Sequence, residues 1–211
     1  MAEKYLLSTA YFPPVHYMAL VAASEEILIE KEENYRKQTY RNRCCILSAN
    51  GPLVLSVPVL LGSFHKTALK DLKIDYSKRW QQIHIRGIES SYKSSAYFIY
   101  YSDLIEKVIN GNHNYLLDLN MAALETVLGI TGLTTRVSYT TAFEPDRNGE
   151  YDFRYQVTPK EKIRHDIFKI NEYFQVFENR YGFVPGLSIL DLIFNAGPES
   201  ANYLRGVIKN S

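Results

Sequence analysis

The chain has 211 residues, with 24 lysines and arginines against 23 aspartates and glutamates and a net charge of +1. This length predicts one domain, residues 1–211, that can bury a sizeable core without a metal or a disulfide. So balanced a charge provides no extended positive field, which argues against nucleic acid and acidic membrane surfaces as partners.

The only two cysteines, Cys44 and Cys45, are adjacent. Neighbouring residues on a strand point to opposite faces, so a bond between these two would be strained. We therefore expect reduced thiols, which are typical of cytoplasmic proteins. The N-terminus does not have the pattern of a signal peptide, and the longest apolar run, residues 53–61, is too short for a bilayer. The sequence thus predicts a cytoplasmic protein without membrane insertion.

The first thirty residues have the pattern of a β-α-β unit. A short strand at residues 5–9 is followed by a helix over 13–24, which begins at a proline pair, and by a strand at 26–30. This order implies a parallel strand pair and an α/β layer. Apolar segments on both sides of Asn50-Gly51 then predict a β-hairpin.

The middle of the chain is predicted to be helical, because apolar residues recur there at helical spacing. The predicted helices span 77–92, 97–109 and 114–129, the last ending at Gly129 as a C-cap. Further along, we predict a strand at 137–141, a polar and mobile loop at 143–153, and a last helix ending near residue 208. The predicted fold class is mixed α/β: a β-α-β opening and a β-hairpin, followed by a largely helical middle and C-terminal part.

Several polar residues have structural interpretations. Ser188 and Asp191 have the spacing of a helix capping box, although a free helix N-terminus can also hold an anion. His84 shares an apolar stripe with Trp80 and is predicted to be a hydrogen-bonded core histidine. Asn120, on an apolar helix face, is predicted to be a buried asparagine with satisfied hydrogen bonds.

Few patterns point to chemistry. The five histidines lack metal-ligand spacing with a third ligand, and the sequence carries no phosphate-binding glycine loop, so we predict neither a metal nor a cofactor. His16 opens the first helix after the first strand, where α/β folds bind ligands. It is therefore the candidate catalytic residue, as a general acid or base.

Residues 35–46 concentrate cationic and aromatic side chains before the hairpin. If this segment is extended, alternation divides it into two faces. One face carries Tyr35, Lys37, Arg41 and Arg43. The other carries Gln38, Tyr40, Asn42, Cys44 and Ile46, which continue into the apolar strand. The first face could hold a phosphate or carboxylate, or it could be a solvated face opposite the acidic run 30–33. On the second face, Asn42 is predicted to satisfy buried backbone groups.

Several segments together resemble the WbqC-like family in order and spacing. They are LLSTAYFPPVHYMALV, NYRKQTYRNRCCILSANGPLVLSVPV, Trp80 with His84, SSYKSSAYF, LGI and VPGLSILDLIFN. The resemblance covers nearly the whole chain and implies a role in bacterial surface-polysaccharide biosynthesis, but it carries over no reaction or catalytic residue. The chain has Ser8-Thr9 and His16-Tyr17 where family members frequently have glutamine-proline and glycine-tyrosine pairs.

The leading hypothesis is a transferase that acts on a nucleotide-linked sugar. The expected ligand is a nucleotide sugar or another anionic small molecule, and other glycan-biosynthesis enzymes are further possible partners. Lys37, Arg41 and Arg43 would bind its phosphates, and Tyr35 and Tyr40 would stack or hydrogen-bond. The alternative is a non-catalytic binding or scaffold protein of the same pathway, which the absence of a recognisable nucleophile or cofactor loop favours.

Overall fold

The computed structural model describes residues 4–61, 67–145 and 151–209, and within these ranges the mixed α/β class is confirmed. One part is a parallel sheet and another is an antiparallel hairpin. The strands are β1 (Lys4–Ser8), β2 (Glu26–Glu30), β3 (Arg43–Ser48), β4 (Gly51–Ser56) and β5 (Arg136–Tyr139).

The parallel sheet has the strand order β1-β2-β5. β1 and β2 pair in parallel across the helix α1 (Val15–Ala22), so the predicted β-α-β opening is confirmed. All residues of α1 except Ala22 are buried, and the helix packs against two C-terminal helices, α6 (Ile189–Ala196) and α7 (Ser200–Arg205). The apolar sequence of α1 is explained by this position, because a helix covered on every side has no polar face.

The hairpin pairs β3 with β4, and its turn lies one residue earlier than predicted. Ser48 pairs with Gly51, so Ala49 and Asn50 form the tip. Gly51 has a φ of 100° and begins β4. A side chain would disfavour this left-handed conformation, which explains why a glycine stands directly after the turn.

Three longer helices occupy the middle of the chain, as predicted: α2 (Trp80–Tyr92), α3 (Phe98–Ile109) and α4 (Leu116–Thr131). The predicted end of α4 at Gly129 is wrong, because the helix continues to Thr131 and its C-cap is Gly132, with a φ of 69°. Within the described residues, no helix is both long and apolar enough to cross a membrane.

The C-terminal part contains a short helix, α5 (Glu178–Tyr181), before α6 and α7. The last helix ends at Arg205, earlier than predicted. Residues 146–150 of the predicted polar loop lie outside the described residues. Directly after them the chain joins the free edge of β1, where Leu6 and Phe153 share a backbone hydrogen bond of 2.9 Å.

The condition on which the two predicted faces of residues 35–46 depend, an extended segment, is not met over its whole length. β3 begins only at Arg43, and the preceding residues form turns in which Gln38 has a φ of 61°. The alternation of faces therefore fails: the neighbours Arg41 and Asn42 are both buried. The prediction for Asn42 itself is confirmed, because its Nδ2 donates to the buried Val57 carbonyl at 2.9 Å.

Replacing Asn42 with alanine is expected to destabilise the fold by about 1–3 kcal/mol, because the Val57 carbonyl would remain buried without its side-chain donor. Urea unfolding of Asn42→Ala and native protein measures the difference. The neighbouring exposed residue Lys37 has no side-chain partner among the described residues, so Lys37→Ala serves as the control. Equal stability of the two variants would contradict the assigned role of Asn42.

Candidate functional site

A largely buried group of charged and polar side chains lies at the carboxyl ends of β1 and β2. Ser8 is the last residue of β1 and Glu30 the last of β2. Open sheets with parallel strands bind their ligands beyond this edge. We call the group the edge cluster; its members are Ser8, Glu30, Glu33, Arg41, Asp152, Arg154 and Tyr155.

Arg41 and Glu33 form the first ion pair of the edge cluster. The Arg41 Nε and Nη2 atoms donate to the two Glu33 carboxylate oxygens, each at 2.8 Å. Ser8 completes the arrangement: its hydroxyl donates to Glu33 Oε1 at 2.9 Å and accepts from Arg41 Nη2. Arg41 is 3% and Glu33 1% exposed. This bidentate pair is therefore closed to solvent and satisfied from within the protein.

Arg154 forms the second ion-paired group. Its Nη1 lies 3.0 Å from Glu30 Oε2, and its Nη2 lies 2.6 Å from Asp152 Oδ2. The Thr140 hydroxyl donates to the other Glu30 oxygen at 2.7 Å. Arg154 is buried, so both of its carboxylate partners are needed to compensate the loss of water around the guanidinium.

Tyr155 links the edge cluster to the surface. Its hydroxyl donates to Glu33 Oε2 at 3.2 Å, and the exposed guanidinium of Arg36 lies 3.9 Å from the centre of its ring. The Arg154 and Arg41 guanidiniums lie 5.5 and 5.9 Å from the same ring centre. Three guanidiniums thus surround the Tyr155 ring, which attracts them through cation–π interactions.

The cavity inside this edge holds no ligand larger than water. It has a volume of about 10 Å³ and is lined by side chains that include Tyr17, Tyr40, Arg41 and Arg154. Such a volume is about that of one water-sized probe. Any organic ligand of this site must therefore bind at the outer surface of the edge cluster.

Residues 35–43, which we call the cationic segment, carry exposed positive charges next to the edge cluster, although Thr39, Arg41 and Asn42 within it are buried. Arg36 and Lys37 are exposed and Arg43 is half-buried; none of the three forms an ion pair with the described part of the chain. The Arg43 Nε is buried without a hydrogen-bond acceptor. Burial raises the pKa of the Tyr35 hydroxyl, and the positive charges of Arg43 and Arg41 oppose this shift, so both charges are close to Tyr35.

The structure therefore separates the predicted phosphate-binding residues into two groups. Arg41 forms an internal salt bridge with Glu33. It therefore does not face a ligand, as it would if the segment were an extended strand. Lys37 and Arg43 form no ion pair with the described residues, so their positive charges are available to a ligand. Tyr35 lies beside Arg43. The alternative, a solvated face opposite the acidic run 30–33, holds in part: Arg41 does pair with Glu33 of that run, but the pair is buried and not solvated.

His16 lies beneath the C-terminal part of the chain and beside Tyr40, which also lines the small cavity at the edge. His16 is 4% exposed, and its ring lies 5.5 Å from that of Phe168 and 6.3 Å from that of Tyr40. Burial lowers the pKa of His16 to about 4, so the imidazole is neutral at neutral pH. Its Nδ1 has no hydrogen-bond partner among the described residues. As a catalytic base, His16 would need this cover to open.

A second buried carboxylate belongs to Asp191, on α6. It is 0% exposed and accepts hydrogen bonds from Tyr92 at 2.9 Å, Tyr173 at 2.8 Å and Gln175 at 2.9 Å. These donors are neutral, and no cation of the described ranges pairs with the carboxylate. Burial raises the pKa of Asp191 to about 6, whereas the three hydrogen bonds act in the opposite direction.

The capping box predicted at α6 is only half present. Ser188 caps the helix, because its hydroxyl accepts from the Leu190 amide at 3.3 Å. In a complete capping box, the Ser188 backbone amide would donate to the Asp191 carboxylate. Here that amide donates to the Cys45 carbonyl instead, at 2.7 Å. The Asp191 side chain is thereby free to accept from the tyrosines and Gln175.

The thiols, His84 and Asn120 are structural in the part of the chain that the structure describes. Cys44 is buried and Cys45 half-buried, and burial raises the pKa of both thiols, which is the opposite of nucleophile activation. The predicted core role of His84 is confirmed by its hydrogen bond to the Tyr11 hydroxyl at 2.9 Å. Asn120 is buried and donates to the Arg41 carbonyl at 2.8 Å, whereas its Oδ1 lacks a partner.

No three histidine, cysteine, aspartate or glutamate side chains converge as metal ligands among the residues that the structure describes.

Sequence reasoning missed most of the edge cluster. A glutamate at the end of the apolar strand EILIE was a usable signal, because a carboxylate at the carboxyl end of a buried parallel strand needs a partner. The partner of Glu30, Arg154, lies 124 residues further along the chain, and no local pattern marks it.

Fold and site together define a mixed α/β protein with ion pairs buried beyond the carboxyl ends of a small parallel sheet. Residues 9–165 match the family model described as the WbqC-like protein family, so the chain belongs to this family. The uncharacterized protein Rv1507c of Mycobacterium tuberculosis is 27% identical over 231 residues, covering 97% of this chain and 98% of that protein. No solved structure matches the chain.

Removing Arg41 is expected to destabilise the protein strongly. Arg41→Ala leaves the Glu33 carboxylate buried without its cation, and such losses cost about 3–5 kcal/mol. The double variant Arg41→Met/Glu33→Leu is expected to lose less than the two single variants together, because it leaves neither charge unpaired. Urea unfolding provides the comparison. If Arg41→Ala were as stable as native protein, the ion pair would have to be open to water.

Asp191 is expected to make stability depend on pH. Its folded pKa of about 6 lies above the ordinary value of 3.8. The unfolding free energy is thus highest below pH 4 with respect to this group and declines as pH rises to about 6, by about 3 kcal/mol. The decline should be absent in Asp191→Asn. Urea unfolding of both proteins between pH 4 and pH 7 measures this, and parallel pH profiles would contradict the raised pKa.

Proposed function

We propose that this protein binds a nucleotide-linked sugar at the cationic segment and works in the cytoplasmic steps of bacterial surface-polysaccharide biosynthesis. The observation that carries the proposal is Arg43: its half-buried guanidinium lies next to Tyr35 and forms no ion pair with the described part of the chain. Such a guanidinium is available to an anionic ligand. A diphosphate offers the acceptor oxygens that a guanidinium binds best.

Position and surroundings support a nucleotide rather than a bare anion. The cationic segment lies over the edge cluster, at the edge where parallel sheets bind ligands. Arg36 and Lys37 add exposed positive charges on the same segment, and Tyr155 adds an aromatic ring. A nucleotide sugar combines the negative diphosphate with flat and ring-shaped groups that stack on aromatic side chains.

The more specific form of the proposal is a transferase that moves the sugar or modifies it. His16 remains the candidate acid or base, with Tyr40 beside it. The second candidate is a non-catalytic binding or scaffold protein of the same pathway, and the burial of His16 favours it. At 4% exposure, the imidazole reaches no ligand on the surface unless residues around Phe168 move.

Thermal shift with UDP-, GDP- and dTDP-linked sugars tests binding. A ligand present at 100 times its Kd is expected to raise the melting temperature by about 5–10 °C. Arg43→Ala should nearly abolish the shift and leave the melting temperature of the free protein nearly unchanged. Lys107→Ala, which removes an exposed charge from α3, is the matched control and should retain the full shift. No shift with any nucleotide sugar at millimolar concentration would contradict the proposal.

Two further measurements test what is bound and whether it is turned over. Inorganic phosphate in place of the nucleotide sugar tests whether the charge alone is bound. Release of free nucleotide in the presence of a glycan acceptor, measured by chromatography, would support the transferase. Binding without release would support the scaffold.

A further inference from the structure

The two buried histidines of the described residues differ in how their ring nitrogens are satisfied. His84 has a partner for each: its Nδ1 lies 2.9 Å from the Tyr11 hydroxyl, and its Nε2 lies 3.2 Å from the Ser56 carbonyl oxygen. The Nδ1 of His16 is equally buried but has no partner within the part of the chain that the structure describes. A buried polar atom without a partner is uncommon and needs an explanation. A partner from outside the protein would provide one.

The cover over His16 is a segment without helix or strand. We call residues 158–166 the strap; all of them are exposed except Thr158 and Ile163, which are half-buried. Within the described ranges, no backbone hydrogen bond joins the strap to another element, and the Lys209 side chain reaches it by donating to the His165 carbonyl. Segments with few buried contacts and few such bonds open locally, at a lower free energy than the whole fold.

The chain directly after the strap is held more firmly. The Lys169 amide donates to the Val207 carbonyl at 2.7 Å, and the Lys209 amide donates to the Ile167 carbonyl at 2.9 Å. Buried Phe168 lies between these two bonds, and its ring centre is 5.5 Å from that of His16. The strap can therefore move while this anchor stays in place.

Ile163 is the side chain with which the strap closes over His16. A Cβ atom at Gly186 would lie 2.9 Å from Ile163 Cδ1 and 3.9 Å from His16 Cε1, so Ile163 fills a notch that only a glycine leaves open. Gly186 also has a φ of 74°, which other residues rarely adopt. When Ile163 leaves this notch, the space beside the imidazole becomes accessible.

The strap also connects His16 with the proposed ligand site. It follows Tyr155, whose ring centre lies 3.9 Å from the Arg36 guanidinium of the cationic segment. Its other end leads to Phe168, against His16. Tyr40, a residue of the cationic segment, has its ring centre 6.3 Å from that of His16. A ligand held by the cationic segment therefore has a short path to His16 once the strap is open.

We propose that the strap opens and that the sugar of the bound nucleotide sugar occupies the space that Ile163 leaves, where one of its hydroxyls hydrogen-bonds His16 Nδ1. A hydroxyl both donates and accepts, so it satisfies Nδ1 in either tautomer. Closure of the strap over the sugar then excludes water from His16. The identity of the occupant rests on the proposed function, whereas the opening of the strap does not.

Modification of histidines by diethyl pyrocarbonate, followed by peptide mass spectrometry, tests the opening in the free protein. His84 is the matched control, since it is also buried but lies in the core, and exposed His165 gives the upper limit. His16 is expected to react about tenfold faster than His84, because local opening needs less free energy than global unfolding. Equal rates for His16 and His84 would overturn the proposal.

The assignment of Ile163 is tested with Ile163→Ser. This variant is expected to raise the ratio of the His16 rate to the His84 rate about fivefold, because the strap loses its apolar contact. Ile170→Ser is the matched control: Ile170 is also half-buried against the core but lies beyond the strap, so the ratio should stay as in native protein. The ratio removes any effect of global destabilisation. An equal change in both variants would show that the strap is not the moving part.

The occupant is tested by repeating the modification with ligands. A nucleotide sugar that raises the melting temperature is expected to lower the His16 rate about tenfold, as mass action predicts at high saturation, whereas inorganic phosphate should leave it unchanged. A thermal shift with an unchanged His16 rate overturns the sugar as occupant and leaves the proposed function standing. If no nucleotide sugar gives a thermal shift, the proposed function and the occupant both fail, and the rates in the free protein alone decide the opening of the strap.

Discussion

The ion pairs buried beyond β1 and β2 are the constraint on which the arrangement of the site depends. A buried charge is costly unless its partner and its remaining hydrogen bonds are all present. Arg41 reaches Glu33 over eight residues, but Arg154 reaches Glu30 over 124. The strand ends, the cationic segment and the chain after residue 151 must therefore be in place together. A shift of any one of them would leave a carboxylate or guanidinium alone in the interior.

This constraint explains why the cationic segment is irregular. A regular strand would present Arg41 and Arg43 on the same face. The turn around Gln38 instead directs Arg41 inward to Glu33, and Arg43 stays half-buried at the start of β3. One arginine thus supports the fold while its near neighbour retains an unsatisfied donor. The two have the same chemistry, and only their partners distinguish them.

The difference between local and distant interactions also decides what could be predicted from the sequence. The β-α-β opening, the hairpin and the middle helices follow from periodicity within short windows, and the structure confirms them. His84 and Asn42 were interpreted correctly because a polar group on an apolar face must be hydrogen-bonded. The faces of residues 35–42 were wrong, because alternation applies only to a strand. The role of Arg154 could not be predicted, because one partner, Glu30, lies 124 residues away in the sequence. The other, Asp152, follows a loop without a recognisable sequence pattern.

The buried carboxylates differ in how their negative charge is compensated. The carboxylate whose protonation changes with pH is therefore not part of the proposed ligand site. Glu33 and Glu30 face guanidiniums, whereas Asp191 faces only neutral hydroxyl and amide donors. Neutral donors compensate burial incompletely, which is why the pKa of Asp191 rises to about 6. Arginine keeps its proton throughout this range, and a diphosphate esterified at both ends keeps its charge as well. The electrostatic contact proposed at the cationic segment is therefore constant over the pH range in which Asp191 titrates.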